Sequence, residues 1–118
     1  MAVRSAAARL TDIIQAIELI QNELAEVTID AFKDDIRKRW MVERGLEIVS
    51  EASRRLPDLM KARHTSIPWP KVAGIGNVLR HEYGNVAHDV LWHVVREDLP
   101  ALEAVCREEL AAEQGGAT

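Results

Sequence analysis

The chain has 118 residues and a formal net charge of -4, with 47% of the residues hydrophobic and 29% charged. These proportions are typical of one globular domain, residues 1–118, and its core should be aliphatic because only 4% of the residues are aromatic. The negative net charge argues against a nucleic-acid-binding protein that relies on bulk charge. A single cysteine, Cys106, excludes an internal disulfide framework and suits a reducing cytoplasm. No apolar run is long enough to predict a membrane span.

Charge is unevenly distributed along the chain. Residues 27–83 hold eleven Lys and Arg against eight Asp and Glu, whereas residues 84–118 hold two against seven. A locally basic middle segment favours contact with an anion. The same charges also fit solvated helix faces, and the sequence leaves both interpretations open.

Apolar residues recur at helical spacing near the start of the chain and predict a first helix from about Ser5 to Glu26. The apolar positions of this helix are Leu10, Ile13, Ile14, Ile17, Ile20 and Leu24. After a short break, Thr28 is a candidate N-cap for a second helix. This second helix is predicted to run to about Leu56, because Pro57 disfavours helical geometry before it.

A second apolar stripe lies on the second predicted helix. It consists of Trp40, Met41, Ile48 and Ala52. Two stripes on one helix indicate contacts on two sides. Either both stripes belong to the core of a bundle of three or four helices, or the second is a surface for self-association.

A connector and a short helix are predicted next. Residues 57–70 contain three prolines and predict the connector. The short helix is expected to run from about Pro70, a favourable first helical residue, to Tyr83. Gly84 and Asn85 are expected to close it with a left-handed cap.

The last helical stretch is predicted from about Val86 to Glu113. Pro100 must bend or restart it, and Asp98 is a candidate cap for the restarted helix. Residues 114–118 are expected to fray as a tail. Because no segment alternates like a strand, the sequence predicts an all-α, up-and-down bundle of four to five helices.

Polar side chains that suit phosphoryl chemistry cluster on the short helix. Asn77 and His81 are four residues apart and share a helix face, and Arg80 and Tyr83 lie close to it. Histidine exchanges a proton near neutral pH, and arginine binds a phosphate with two parallel hydrogen bonds. A purely structural role for His81 and Tyr83 is the alternative. No His or Cys spacing predicts a metal site, and no glycine-rich loop predicts a nucleotide cofactor.

Several segments resemble, in order, the HepT-like family of the HEPN superfamily, the helical toxins of prokaryotic toxin–antitoxin systems. The segments that carry the resemblance are Arg44–Pro57, Ile67–Gly74, Arg80–Tyr83, Val90–Trp92 and Glu97–Pro100. Together they extend the resemblance over nearly the whole chain. It implies an HEPN-type bundle in which the short helix carries the family motif.

The family motif is an arginine followed by a polar residue, then His and Tyr, written Arg-x4-His-x-Tyr. His81 and Tyr83 match its end and Asn77 matches the polar residue, but Gly76 stands in place of the arginine. Arg80 lies four residues after Gly76, and helical side chains lean toward the N-terminus. We therefore expect Arg80 to supply the missing guanidinium. The alternative is that Gly76 marks a subgroup with lost or altered catalysis.

The resemblance implies a homodimeric, cytoplasmic and metal-independent endoribonuclease. In the implied mechanism, a ribose 2′-hydroxyl attacks the adjacent phosphate, which makes RNA the substrate. The implied catalytic residues are His81, Arg80 and Asn77, and the candidates for supporting residues on the second helix are Glu47 and Glu51.

The resemblance also implies a partner. In a type VII-like toxin–antitoxin system, a minimal nucleotidyltransferase would neutralise the toxin by adding AMP to Tyr83. The alternative function is a non-catalytic, dimeric binding partner of a nucleotidyltransferase, with a degenerate site at Gly76.

Overall fold

The computed structural model describes residues 5–81 and 85–115, apart from the side chains of Arg80, His81 and residues 85–87. Every regular element in these two ranges is a helix, so the predicted all-α class is confirmed. The elements are α1 (Ala6–Leu24), α2 (Ile29–Asp34), α3 (Ile36–Arg54), α4 (Asp58–Ala62), α5 (Trp69–His81), α6 (Asn85–His93), a π-helical turn (Val94–Asp98) and α7 (Leu99–Gly115).

The core forms where α1 packs against α3 and α7, and α3 packs in turn against α5. All six apolar residues predicted for the inner face of α1 are buried, which confirms the helical spacing. The core is mainly aliphatic, as expected, and Phe32 is its largest fully buried side chain. Each buried Leu, Ile or Val stabilises the fold by about 1.5–3 kcal/mol relative to exposure.

The second predicted helix is two helices, so the prediction of one helix from Thr28 to Leu56 was wrong. Asp35 separates α2 from α3 with extended backbone angles, φ -106° and ψ 100°. Its carboxylate accepts hydrogen bonds from the backbone N–H groups of Arg37 at 3.0 Å and Lys38 at 3.2 Å. This N-cap begins a new helix inside a continuous apolar pattern. The predicted cap at Thr28 is confirmed, because its hydroxyl accepts from the Ala31 N–H at 3.1 Å.

The structure divides the second apolar stripe of that region between core and surface. Ala52 is buried, and Met41 and Ile48 are half-buried against the core. The Trp40 side chain points outward from α3, with 65% of its surface exposed. Core packing therefore accounts for three of these residues and leaves Trp40 without a partner in the core.

Pro100 is accommodated without a helix restart. The Leu99 N–H donates to the carbonyl of Val94, five residues back, so the path from α6 to α7 passes through the π-helical turn. The prediction that Asp98 caps a restarted helix was wrong, because Asp98 lies inside this turn. Its carboxylate lies 2.8 Å from Lys71 Nζ instead.

The remaining boundaries differ from the predictions by small amounts. The connector contains the short helix α4, and α5 begins at Trp69, one residue before Pro70. The helix α7 continues through Gly115, where fraying was expected, and residues 116–118 lie outside the described part. The predicted cap at Gly84 and Asn85 stays a prediction, because Gly84 lies outside the described residues. Asn85 is the first residue of α6.

Arg96 joins the π-helical turn to the far end of α1. Its Nη2 atom donates to the carbonyl oxygens of Leu24 at 2.8 Å and Val27 at 3.1 Å. The guanidinium lies 4.4 Å from the ring centre of Trp92, and that ring is 5.5 Å from the ring of Phe32. Arg96 thus adds a second donor to the Leu24 carbonyl, which already accepts from the Val27 N–H at 3.1 Å where α1 ends.

A buried carboxylate ties the connector before α5 to α7. Glu109 is 7% exposed and accepts a hydrogen bond from Arg63 Nη2 at 2.7 Å, while His64 Nε2 lies 2.5 Å from its other oxygen. On the other side of the connector, Trp69 Nε1 donates to the carbonyls of Lys61 and His64, each at 3.0 Å. These contacts fix the position where α5 begins.

Candidate functional site

The helix that carries the predicted motif, α5, is fastened to α3 by Ser50. The buried Ser50 hydroxyl donates to the carbonyl of Ala73 at 2.7 Å and accepts from the Gly76 N–H at 3.4 Å. Arg54 Nη1 donates to the same Ala73 carbonyl at 3.4 Å. Side chains of α3 thus hold the backbone of α5 at two positions, the Ala73 carbonyl and the Gly76 N–H.

A polar cleft opens between these two helices, and we call it the α3–α5 cleft. Its volume is about 310 Å³, at the lower end of the range for ligand pockets in proteins. Its lining residues are Arg44, Glu47, Ser50, Glu51, Arg54 and Gly76. The two glutamates predicted to support the site, Glu47 and Glu51, therefore line one cleft together with Gly76.

Salt bridges order the charged side chains of the α3–α5 cleft. Arg54 Nη2 donates to Glu51 Oε2 at 2.6 Å, and Arg55 Nε donates to Glu51 Oε1 at 3.0 Å. The hydrogen bond from Arg54, followed by that from Arg55, lowers the pKa of Glu51 below its ordinary value. Glu51 is accordingly ionised at neutral pH and holds two guanidinium groups. Nearer the start of α3, Arg44 Nη1 lies 3.4 Å from Glu47 Oε2.

The predicted motif residues occupy the last turns of α5. Asn77 is exposed and follows Gly76 directly. Arg80 and His81 are the last two residues of the helix, but their side chains lie outside the described part. The expectation that Arg80 leans back over Gly76 falls on one of these side chains, and Tyr83 also lies outside the described residues.

Sequence reasoning missed Ser50, Arg44 and Arg54 as components of this site. A signal was present, because residues 44, 47, 51 and 54 recur at intervals of three or four and form a charged stripe along α3. Such stripes are common on solvated helix faces. Only the packing of α5 beside α3 turns this stripe into one wall of a cleft.

The described residues form neither a cluster of metal ligands nor a helix that could cross a membrane. Across residues 5–81 and 85–115, no three His, Cys, Asp or Glu side chains group closely enough to hold a metal ion. None of the helices in the same ranges has the length and apolar character that crossing a membrane requires.

Comparison with protein families identifies the class of this protein. The family described as "Ribonuclease HepT-like" matches residues 13–109, which include α3, α5 and the cleft between them. This match covers most of the chain, and the chain belongs to the HepT-like family. The resemblance noted from the sequence is thereby confirmed.

Individual relatives agree with this assignment. The chain is 40% identical over 94 residues to a Thermococcus cleftensis protein named "Probable ribonuclease HepT", covering 80% of this chain and 86% of the relative. It is 32% identical over 106 residues to a Caldanaerobacter subterraneus protein named as a "Putative RNase", covering 89% and 94%. A Methanocaldococcus jannaschii protein named in the same way is 29% identical over 103 residues, covering 87% and 94%. No solved structure matches the chain significantly.

Proposed function

We propose that this protein is a metal-independent endoribonuclease that cleaves RNA. The observation that carries the proposal is the match of residues 13–109 to a family described as ribonuclease HepT-like. Relatives named as RNases cover the same region and support it. The polar α3–α5 cleft supports it as well, because it offers guanidinium groups beside the helix that carries the motif.

In the proposed reaction, the ribose 2′-hydroxyl attacks the adjacent phosphate, and the bond from phosphorus to the 5′-oxygen of the next nucleotide breaks. His81 moves the proton from the 2′-hydroxyl to the departing 5′-oxygen, Arg80 stabilises the charge that develops on the phosphate, and Asn77 orients the substrate or His81. The carboxylates of Glu47 and Glu51 hold the arginines that line the cleft. DNA lacks the nucleophile and is not cleaved.

A cleavage assay with three controls tests this proposal. We expect purified protein to cleave RNA but not DNA of the same sequence, and to retain this activity in EDTA. His81→Ala should abolish cleavage, whereas His93→Ala, at an exposed position on α6, should leave it unchanged. Loss of activity in EDTA, with recovery on adding a divalent ion, would contradict the metal-independent mechanism.

The proposed biological setting is a type VII-like toxin–antitoxin system with a minimal nucleotidyltransferase as antitoxin. The partner would transfer AMP from ATP to the phenol oxygen of Tyr83, with release of pyrophosphate. The added phosphate and adenosine would lie two residues from His81 along the chain and would obstruct RNA. Support comes from family membership and from the position of Tyr83 in the sequence.

Mass spectrometry after incubation with the partner and ATP tests this setting. We expect added AMP on Tyr83, and we expect Tyr83→Phe to retain cleavage and to escape silencing. AMP found only at other residues, or a silenced Tyr83→Phe protein, would contradict the proposal.

The proposed enzyme acts as a homodimer in the cytoplasm. The exposed Trp40 on α3 supports self-association. The lone cysteine, Cys106, is fully buried, and burial raises the pKa of its thiol to about 12. A thiol kept protonated in this way is unreactive, and a chain with no other cysteine is compatible with a reducing compartment.

A second candidate function is favoured by Gly76, which stands where the family has an arginine. In this case the protein is a non-catalytic, dimeric binding partner of a nucleotidyltransferase. A stable complex with the nucleotidyltransferase, together with no RNA cleavage by protein freed from that partner, would favour this function over the first.

A further inference from the structure

We propose that Arg54 binds a phosphate of the RNA backbone in the α3–α5 cleft, next to Gly76. This inference rests on the proposed ribonuclease function and identifies a side chain outside the motif that holds the substrate. It starts from the lining of the cleft, where Gly76 contributes backbone and Arg54 contributes its side chain from α3.

The guanidinium of Arg54 is held in place before any substrate arrives. One amino group donates to Glu51 Oε2 at 2.6 Å and the other donates to the Ala73 carbonyl at 3.4 Å. Arg54 therefore bridges α3 and α5 across the floor of the cleft. These contacts use two of the five N–H donors of a guanidinium, so donors remain for a phosphate. A donor group fixed in advance loses less conformational freedom when it binds.

The guanidinium of Arg54 carries a fixed positive charge in the lining of the cleft, which favours an anion there. The side chain of Arg54 is 43% exposed, which leaves it accessible from the cleft. Charge-assisted hydrogen bonds from arginine to phosphate are among the strongest in proteins.

Two neighbouring arginines, Arg44 on α3 and Arg55 at its C-cap, are less suitable. Arg55 shares Glu51 with Arg54, but it does not line the cleft, and its side chain is 60% exposed. Arg44 lines the cleft, but a single 3.4 Å contact with Glu47 holds it, and its side chain is 72% exposed. Arg54 alone of these three combines a position in the cleft with contacts to both helices.

The position of Arg54 is consistent with the proposed chemistry on α5. Gly76 and Arg80 are four residues apart, and the backbone of both is helical, so they lie on one stripe of α5. His81 follows Arg80 directly. A phosphate held by Arg54 beside Gly76 therefore lies next to the stripe that leads to the proposed catalytic residues.

The matched pair Arg54→Ala and Arg55→Ala tests this inference. Each variant removes one arginine from Glu51, but only the first removes a guanidinium from the cleft. We expect Arg54→Ala to lower kcat/KM for RNA cleavage by about ten- to a hundredfold, as for loss of a charged hydrogen bond. Arg55→Ala should stay within about twofold of the unmodified protein, since exposed ion pairs contribute little.

Binding separates a phosphate contact from a structural role. A 2′-O-methyl RNA lacks the free nucleophile and measures affinity without cleavage. The plot of log Kd against log salt concentration should become less steep by about 0.7 in Arg54→Ala, the value for one phosphate contact on a single strand. It should be unchanged in Arg55→Ala. Arg54→Lys keeps the charge and should retain the slope while losing part of the cleavage rate.

The outcomes distinguish this inference from the function on which it rests. If the unmodified protein cleaves RNA and the Arg54→Ala and Arg55→Ala proteins behave alike, the inference is overturned and the ribonuclease proposal stands. If the unmodified protein neither binds nor cleaves RNA, the proposed function fails and the inference fails with it. Circular dichroism identifies an unfolded Arg54→Ala protein, and Arg54→Lys then decides the question by its salt slope and cleavage rate.

Discussion

Two glycines inside helices show how differently single positions tolerate a methyl group. On α3, a Cβ atom at Gly45 would lie 2.6 Å from Cδ1 and 2.9 Å from Cγ1 of Ile20. Ile20 is fully buried, so its side chain must shift toward the cavity of about 250 Å³ that it lines with Gly45 before a methyl group fits. On α5, a Cβ atom at Gly74 would meet no described atom within 4 Å. The close approach of α1 to α3 therefore depends on Gly45, whereas α5 does not depend on Gly74.

Alanine at these two positions should change stability in opposite directions. We expect Gly45→Ala to lower the free energy of unfolding by about 1–2 kcal/mol, because overpacking outweighs the gain in helix propensity. Gly74→Ala should raise it by about 0.5–1 kcal/mol through propensity alone. Urea denaturation of both variants measures the difference. A Gly45→Ala protein as stable as Gly74→Ala would contradict the packing argument.

At the level of elements, Arg63, His64 and Glu109 form a cluster, which we call the Glu109 cluster. It connects the segment before α5 to α7. Hydrogen bonding by Arg63 is the largest cause that lowers the pKa of Glu109, and the contact with His64 acts in the same direction. A carboxyl group with a lowered pKa stabilises the folded state above its ordinary pKa. This contribution disappears as the pH falls through the lower value of the folded protein.

Glu109→Gln should therefore reduce stability at neutral pH and have less effect in acid. We expect a loss of about 1–3 kcal/mol at pH 7, as for a buried charged hydrogen bond. The difference from the unmodified protein should shrink as the pH falls below 4.5, the ordinary value of this carboxyl group. Urea denaturation at a series of pH values measures it. A difference that stays constant down to pH 3 would show that Glu109 is not the titrating group.

The sequence predicted most elements of the fold because helical spacing of apolar residues is a local signal. The burial of the whole inner face of α1 follows from that spacing. The break at Asp35 did not follow, because the apolar pattern continues across it and a single capping side chain decides the geometry. The Glu109 cluster was also beyond prediction, since its partners lie 45 and 46 residues away along the chain.

The sequence predicted a candidate site at the end of α5, and that assignment stays a prediction. Helical spacing and family resemblance singled out Asn77, Arg80, His81 and Tyr83, and the family motif drew attention to Gly76. It did not show that Arg54 lines the cleft while Arg55 does not, because adjacent residues on a helix differ by about 100° in direction. Which of the two faces α5 depends on the rotation of α3 in the bundle.

At the level of the whole molecule, the exposed Trp40 marks the proposed dimer surface, four residues before Arg44 on the same stripe of α3. Trp40 is 65% exposed there, and an exposed tryptophan is a frequent anchor of protein interfaces. Trp40→Lys should convert a dimer to a monomer, because a charge would be buried without a partner. Leu59→Lys is the matched control, since Leu59 is 80% exposed and lies on α4 rather than on α3. Light scattering at micromolar concentration measures both, and a monomeric mass for the unmodified protein would contradict the proposal.

The hydrogen bonds of Arg96 with the end of α1 have a consequence for how the chain folds. Arg96 and Leu24 are 72 residues apart in sequence, so these hydrogen bonds form only after the π-helical turn has docked against the end of α1. Closing so long a loop has an entropic cost that must be met before this contact forms. We therefore expect the final amides of α1 and those around Arg96 to become protected from hydrogen exchange together, late in folding. In the folded protein they should open as one cooperative unit, although they belong to opposite ends of the chain.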